Sequence, residues 1–146
     1  MNRYTSKPIP HPRTHGDGAT YHRADLVFTD VDPSGDSYRA LVFLDQPDAT
    51  LDTPTFAGWF TVFGHGGCFG DDERHCAPPS GPPDPFDVRP PIGIPKQLKT
   101  VQITEALARV TGDSFTVTVV AVAPGSTKPQ ASDELDFGSL HVLTYE

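Results

Sequence analysis

Between Asp113 and Ala123 the chain reads DSFTVTVVAVA, in which Phe115, Val117 and Val119 alternate with Thr116 and Thr118. A period of two sets the two groups on opposite faces of a pleated strand, an arrangement a helix does not produce. RADLVFTDV (residues 23–31) has the same texture, with Leu26 and Phe28 opposed to Val27, Thr29 and Val31. SYRALVFLD (37–45) gathers Tyr38, Ala40, Val42 and Leu44 on one face. The intervening DPSGDS carries turn chemistry at Pro33 and Gly35, so the two segments are expected to form a hairpin. FAGWFTVFG (56–64) opposes Phe56, Phe60 and Val62 to Trp59 and Phe63. That many aromatic residues in one strand imply cover on both faces. LKTVQI and LDFGSLHVLTYE complete the set of strands.

The breaks between these segments point the same way. Sixteen prolines and 13 glycines punctuate 146 residues, leaving room for one helix, near 104–110, with Thr104 as its cap and Gly112 beyond its end. The expected fold is all-β: an antiparallel β-sandwich of about six or seven strands with long Pro/Gly-rich loops. Residues 1–20 are polar and aperiodic and read as a flexible tail or linker, with 21–146 as a single domain. Within that tail, His11 and His15 flank a proline, which argues against a shared helical metal site. A net charge of −8 without a basic stripe argues against nucleic acid as partner. No apolar run long enough to span a bilayer is present, and no signal peptide is visible, so no membrane partner is expected. The expected location is cytoplasmic, or outside the cell if exported together with a partner.

No glycine-rich phosphate loop opens a helix, and neither G-x-S-x-G nor H-E-x-x-H occurs. Chemistry concentrates instead in GHGGCFGDDERHC, where His65, Cys68, His75 and Cys76 form an H-x2-C-x6-H-C pattern. Thiolate and imidazole together suit Cu(I) or Zn(II), although neighbouring His75 and Cys76 point to opposite sides of an extended chain. The same cysteines, Cys68 and Cys76, could instead close a short disulfide loop worth roughly 2–3 kcal/mol, or stay reduced. His141 reads as a packed or surface histidine. Roughly 30 residues separate the third strand from the fourth, and loops of that length are usually functional or disordered.

TFAGWFTVFGHGG, then KTVQITEALARV, then DSFTVTVVAVAP resemble the C-terminal β-sandwich domain of type-3 copper proteins: tyrosinases, polyphenol oxidases and molluscan haemocyanins. YHRADLVFTDV with SYRALVFLD resembles the first hairpin of such domains, and FGSLHVLTYE their last strand, so the likeness spans Tyr21 to Glu146. The resemblance implies a domain that packs on the catalytic domain and shields its copper entrance with an apolar side chain, or assists its assembly. Phe69, between Cys68 and Gly70, and then Phe63 are the plug candidates. The family's dicopper centre rests on six histidines of a helical bundle. This chain's histidines are dispersed over a β protein, so the resemblance implies an accessory role without catalysis. The implied partner is a type-3 copper catalytic domain or subunit, and no cofactor is expected on this chain itself. The alternative is a small copper carrier using His65, Cys68, His75 and Cys76. Family copper delivery uses C-x-x-C, whereas the spacing here is C-x7-C.

Overall fold

The computed structural model describes residues 2–12, 21–64, 85–86, 95–123 and 135–146. These residues form nine strands and one helix: β1 (Arg3–Thr5), β2 (Ile9–Pro10), β3 (Arg23–Val31), β4 (Tyr38–Leu44), β5 (Gly58–Val62), β6 (Gln97–Gln102), α1 (Thr104–Ala108), β7 (Ser114–Phe115), β8 (Val117–Val122) and β9 (Ser139–Tyr145). A four-stranded sheet runs β1-β8-β4-β5 and a three-stranded sheet β6-β3-β9; β2 and β7 make a third, two-stranded pair. Every pairing is antiparallel. The architecture is the all-β, sandwich-like one expected from the alternation.

The expected hairpin between residues 23–31 and 37–45 does not form. β3 pairs with β6 and β9, while β4 pairs with β5 and β8. Each strand is bonded along both edges, so neither has an edge left for the other. Residues 32–37 therefore carry the chain from one sheet to the other. The crossing is prepared by a bulge: the β3–β6 register shifts between Phe28 and Val31, and Asp30 lies at φ 53°. Left-handed backbone is tolerated by aspartate more readily than by most residues. The shift turns Val31 into the core, fully buried, instead of leaving it with Val27 and Thr29.

Alternation predicted the inner face of β4 correctly: Tyr38, Ala40, Val42 and Leu44 all join the main core. Opposite them stand Ala24, Leu26 and Phe28 of β3. Phe28 sits at the centre, its ring 4.8 Å from Phe60 and 5.3 Å from Phe137, the latter edge-on. β8 is buried on both faces. Its outer face is covered because Phe43 and Val120 pack with Ala49, and Leu41 and Leu51 flank them, in a second small cluster under the Gln46–Thr55 connection.

Residues 2–12 are not a tail. β1 extends the four-stranded sheet beside β8, and β2 pairs with β7. Ser6 bonds Val117 twice: its backbone N–H donates to the Val117 carbonyl at 2.8 Å, and its hydroxyl oxygen accepts from the Val117 N–H at 2.9 Å. Tyr4 meets Phe137 edge-on at 4.9 Å. The Nε2–H of His11 donates to the carbonyl of Leu107, at 3.2 Å. Thr104 does not cap α1 either. Ile103 holds the N-cap position with no side-chain bond, and Thr104 Oγ1 accepts from the backbone N–H of Ala24 at 2.9 Å, tying the helix to β3.

On the outer face of the three-stranded sheet, Asp25 is only 1% exposed. Arg23 answers it with three bonds of 2.8–3.1 Å, and this hydrogen bonding, followed by the charge of Asp25, raises the pKa of the guanidinium. A buried carboxylate stripped of its partner is costly, whereas removing the charge with the partner is not. Arg23→Gln should therefore lower the thermal midpoint by several degrees, and Arg23→Gln/Asp25→Asn should recover most of that loss in calorimetry.

Candidate functional site

β5 is the edge of the four-stranded sheet, and its two faces differ. Phe60 and Val62 enter the core, whereas Trp59 is 51% exposed and Phe63, just past the strand, 77% exposed. The expectation of cover on both faces thus fails for β5, because the cluster over the outer sheet face centres on Phe43, Ala49 and Val120. Arg39, whose register partner on β5 is Thr61, reaches diagonally and lays its guanidinium 5.0 Å from the centre of the Trp59 ring. Such a contact is worth about 0.5–1 kcal/mol at an exposed site and holds the indole in one orientation. Phe56, expected to share a face with Phe60 and Val62, lies before the strand and is 46% exposed.

What fixes this edge is a pair of glycines. At Gly58 the backbone lies so close to β6 that an added Cβ would overlap the Val101 side chain. At Gly64 it would overlap the backbone of Gly35 and Asp36, and the Gly64 N–H donates to Ser37 Oγ at 2.9 Å. The end of β5 is thereby fastened to the crossing between the sheets. Phe63, immediately before Gly64, is thus held at a defined point at the end of the strand. The crossing is itself braced: the hydroxyl and then the backbone N–H of Ser34, the latter at 2.8 Å, hold the Asp32 carboxyl below the usual carboxylate range.

Of the residues singled out from sequence, Phe63 falls on this edge. Phe69, His65, Cys68, His75 and Cys76 lie outside the described residues, and with them the metal and disulfide readings. Among the described residues no three His, Cys, Asp or Glu side chains gather as a metal site. His141 is a surface residue, its Nε2 2.9 Å from Ser139 Oγ. A cleft of about 300 Å³ opens beside Phe56, lined also by Leu44, Asp45, Ala57, Arg109 and Val110. Its Asp45 is engaged, accepting the Thr116 N–H at 2.9 Å.

Fold and site together define an all-β, sandwich-like protein with an exposed aromatic edge. No protein-family model, curated protein or solved structure matches the chain.

Two outcomes are expected from this geometry. Gly64→Ala should cost about 1–3 kcal/mol in urea unfolding, because the new methyl meets backbone that cannot step aside. The Asp32 contribution to stability should be complete above the ordinary carboxylate pKa and disappear as pH falls through the lowered folded value. In urea midpoints compared from about pH 5 to pH 2, Asp32→Asn should lose stability at the upper end and converge on the wild type at the lower.

Proposed function

We propose that the chain is a non-catalytic β-sandwich of the tyrosinase and haemocyanin C-terminal type. In this reading it packs on a type-3 copper catalytic domain and shields its entrance or assists its assembly. The observation that carries the proposal is the aromatic edge: Phe56, Trp59 and Phe63 are all exposed along one stretch that ends at a fastened glycine. Large rings held in place by packing bind with little loss of conformational freedom, which is why aromatic residues dominate the energetic centres of protein interfaces.

In this role Trp59 anchors the docked face, and Phe63, at the exit from the strand, reaches towards the substrate entrance. The sequence likeness in FAGWFTVFGHGG supports the same reading, since the strand that carries the likeness is the one that carries the exposed rings. Copper then belongs to the partner, with its histidines on the partner's helices.

Mixing the purified chain with a type-3 copper catalytic domain tests this directly. A 1:1 complex by mass and slowed phenol oxidation are expected. Trp59→Ala should weaken the complex by about 30-fold, the effect of losing about 2 kcal/mol at an interface centre. Phe63→Ser should restore oxidation while the complex persists. If neither the mass nor the oxidation rate responds to the chain, the proposal fails. Tight Cu(I) binding by the isolated chain, lost in Cys68→Ser, would favour the copper-carrier reading in its place.

A further inference from the structure

Among the described residues the two larger sheets have four edges, β1, β5, β6 and β9, and three are blunted. β1 is three residues long and is followed by Lys7 and Pro8. β5 and β6 lie beside each other, closely enough for the Gly58 backbone to meet Val101, and β6 carries Lys99. Short strands, lysine, proline and a neighbouring strand are the usual means by which an edge is kept from pairing with another chain.

β9 has none of these. It runs seven residues, Ser139–Tyr145, with no proline and no Asp, Glu, Lys or Arg. Its register with β3 is unbroken from Arg23↔Tyr145 to Thr29↔Ser139, so no bulge twists it away. Along its other edge no strand pairs with it among the described residues. Its side chains carry no carboxylate, ammonium or guanidinium on either face: Leu140 and Val142 pack against the core, and the outer face presents Ser139, His141, Tyr145 and Leu143, the last 47% exposed.

We propose that β9 is a self-association edge, on which a second copy of this chain adds its own β9 antiparallel about a two-fold axis at Val142. The register this imposes pairs Ser139 with Tyr145, Leu140 with Thr144, His141 with Leu143, and Val142 with itself. Glu146 falls opposite Gly138, outside the paired segment. The product is a continuous six-stranded sheet, β6-β3-β9 followed by its two-fold image, in which each Val142 extends the apolar face of the other core. Charge selects this edge for self-pairing. Two copies that each carry a net −8 repel, and the segment they can bring together at least cost is a neutral one. Because the repulsion is screened by salt while the backbone ladder is not, association strengthens as ionic strength rises. β5 and its aromatic residues take no part, so this dimer and the docking of a copper domain stand or fall separately.

Sedimentation equilibrium of the full chain under reducing conditions, from micromolar to about 1 mM protein, is the test. The wild type is expected to reach dimer mass in that range, at lower concentration in high salt. Leu143→Lys sets lysines beside His141 of the other copy and should raise the dissociation constant at least about tenfold, a change of about 1.4 kcal/mol. His141→Glu alone should also weaken the dimer. The double variant Leu143→Lys/His141→Glu places opposite charges across the axis twice and should restore association to within about threefold of wild type. Both substitutions are at exposed positions, and circular dichroism should confirm an unchanged fold in all three variants. A wild type that stays monomeric at about 1 mM, a Leu143→Lys variant that dimerises as before, or a double variant no better than the singles would each overturn the proposal.

Discussion

Two strands consecutive in the chain, β3 and β4, are saturated with backbone partners on both sides, and the rest of the fold follows from that. Strands adjacent in sequence normally pair. Here each already has two neighbours, so the connection at 32–37 must step between layers that lie about 10 Å apart. The step is held from several directions. Asp30 takes the left-handed backbone that ends β3, Asp32 N–H donates to Asp136 O at 3.0 Å, and Gly138 N–H donates to Thr29 O at 2.9 Å. Gly64 then rests on the same segment. One crossing therefore sets how Phe28 meets Phe60 in the core and where the end of β5 is fastened.

The sequence made the faces legible but not the partners. Period-two alternation states which side chains share a side of a strand, and for β4 that reading held at every position. It carries no information about which backbone lies alongside, so the hairpin expected from a good turn sequence was assigned to strands that belong to different sheets. Val31 was placed on the wrong face for a related reason: a bulge adds a residue and inverts the parity beyond it. Residues 2–12 read as a tail in the sequence because what fastens them is mostly backbone hydrogen bonding and a few small hydroxyls, such as Thr5 facing Thr118 at 3.3 Å. Those interactions leave little hydrophobic pattern to read.

The candidate site was half legible. An aromatic-rich strand leading into a glycine-rich stretch is visible in the sequence, and the family resemblance is what singles out Phe63 within it. Whether an aromatic side chain in a strand is core or surface depends on whether another layer covers it, a property of the tertiary structure alone. Trp59 shows the point. Its cover is not a second sheet but the guanidinium of Arg39, twenty positions away in sequence and one register step away in space. The Arg39 and Trp59 pair could have been suspected only with the β4–β5 register already in hand.

The two exposed edges differ in what they can recognise. At the end of β5, information resides in side chains: bulky rings of fixed orientation, whose fit depends on a complementary pocket and falls steeply when one ring is removed. Along β9 it resides in the backbone, whose donors and acceptors suit any strand of compatible length, with side chains only setting register and excluding charge. The first kind of edge is selective for shape and tolerant of ionic strength; the second is permissive in shape and governed by charge. A protein with a net −8 therefore has one surface whose partner must be specific and another whose partner must be neutral. Its own β9 meets the second condition, and no ring on β5 is needed for it to do so.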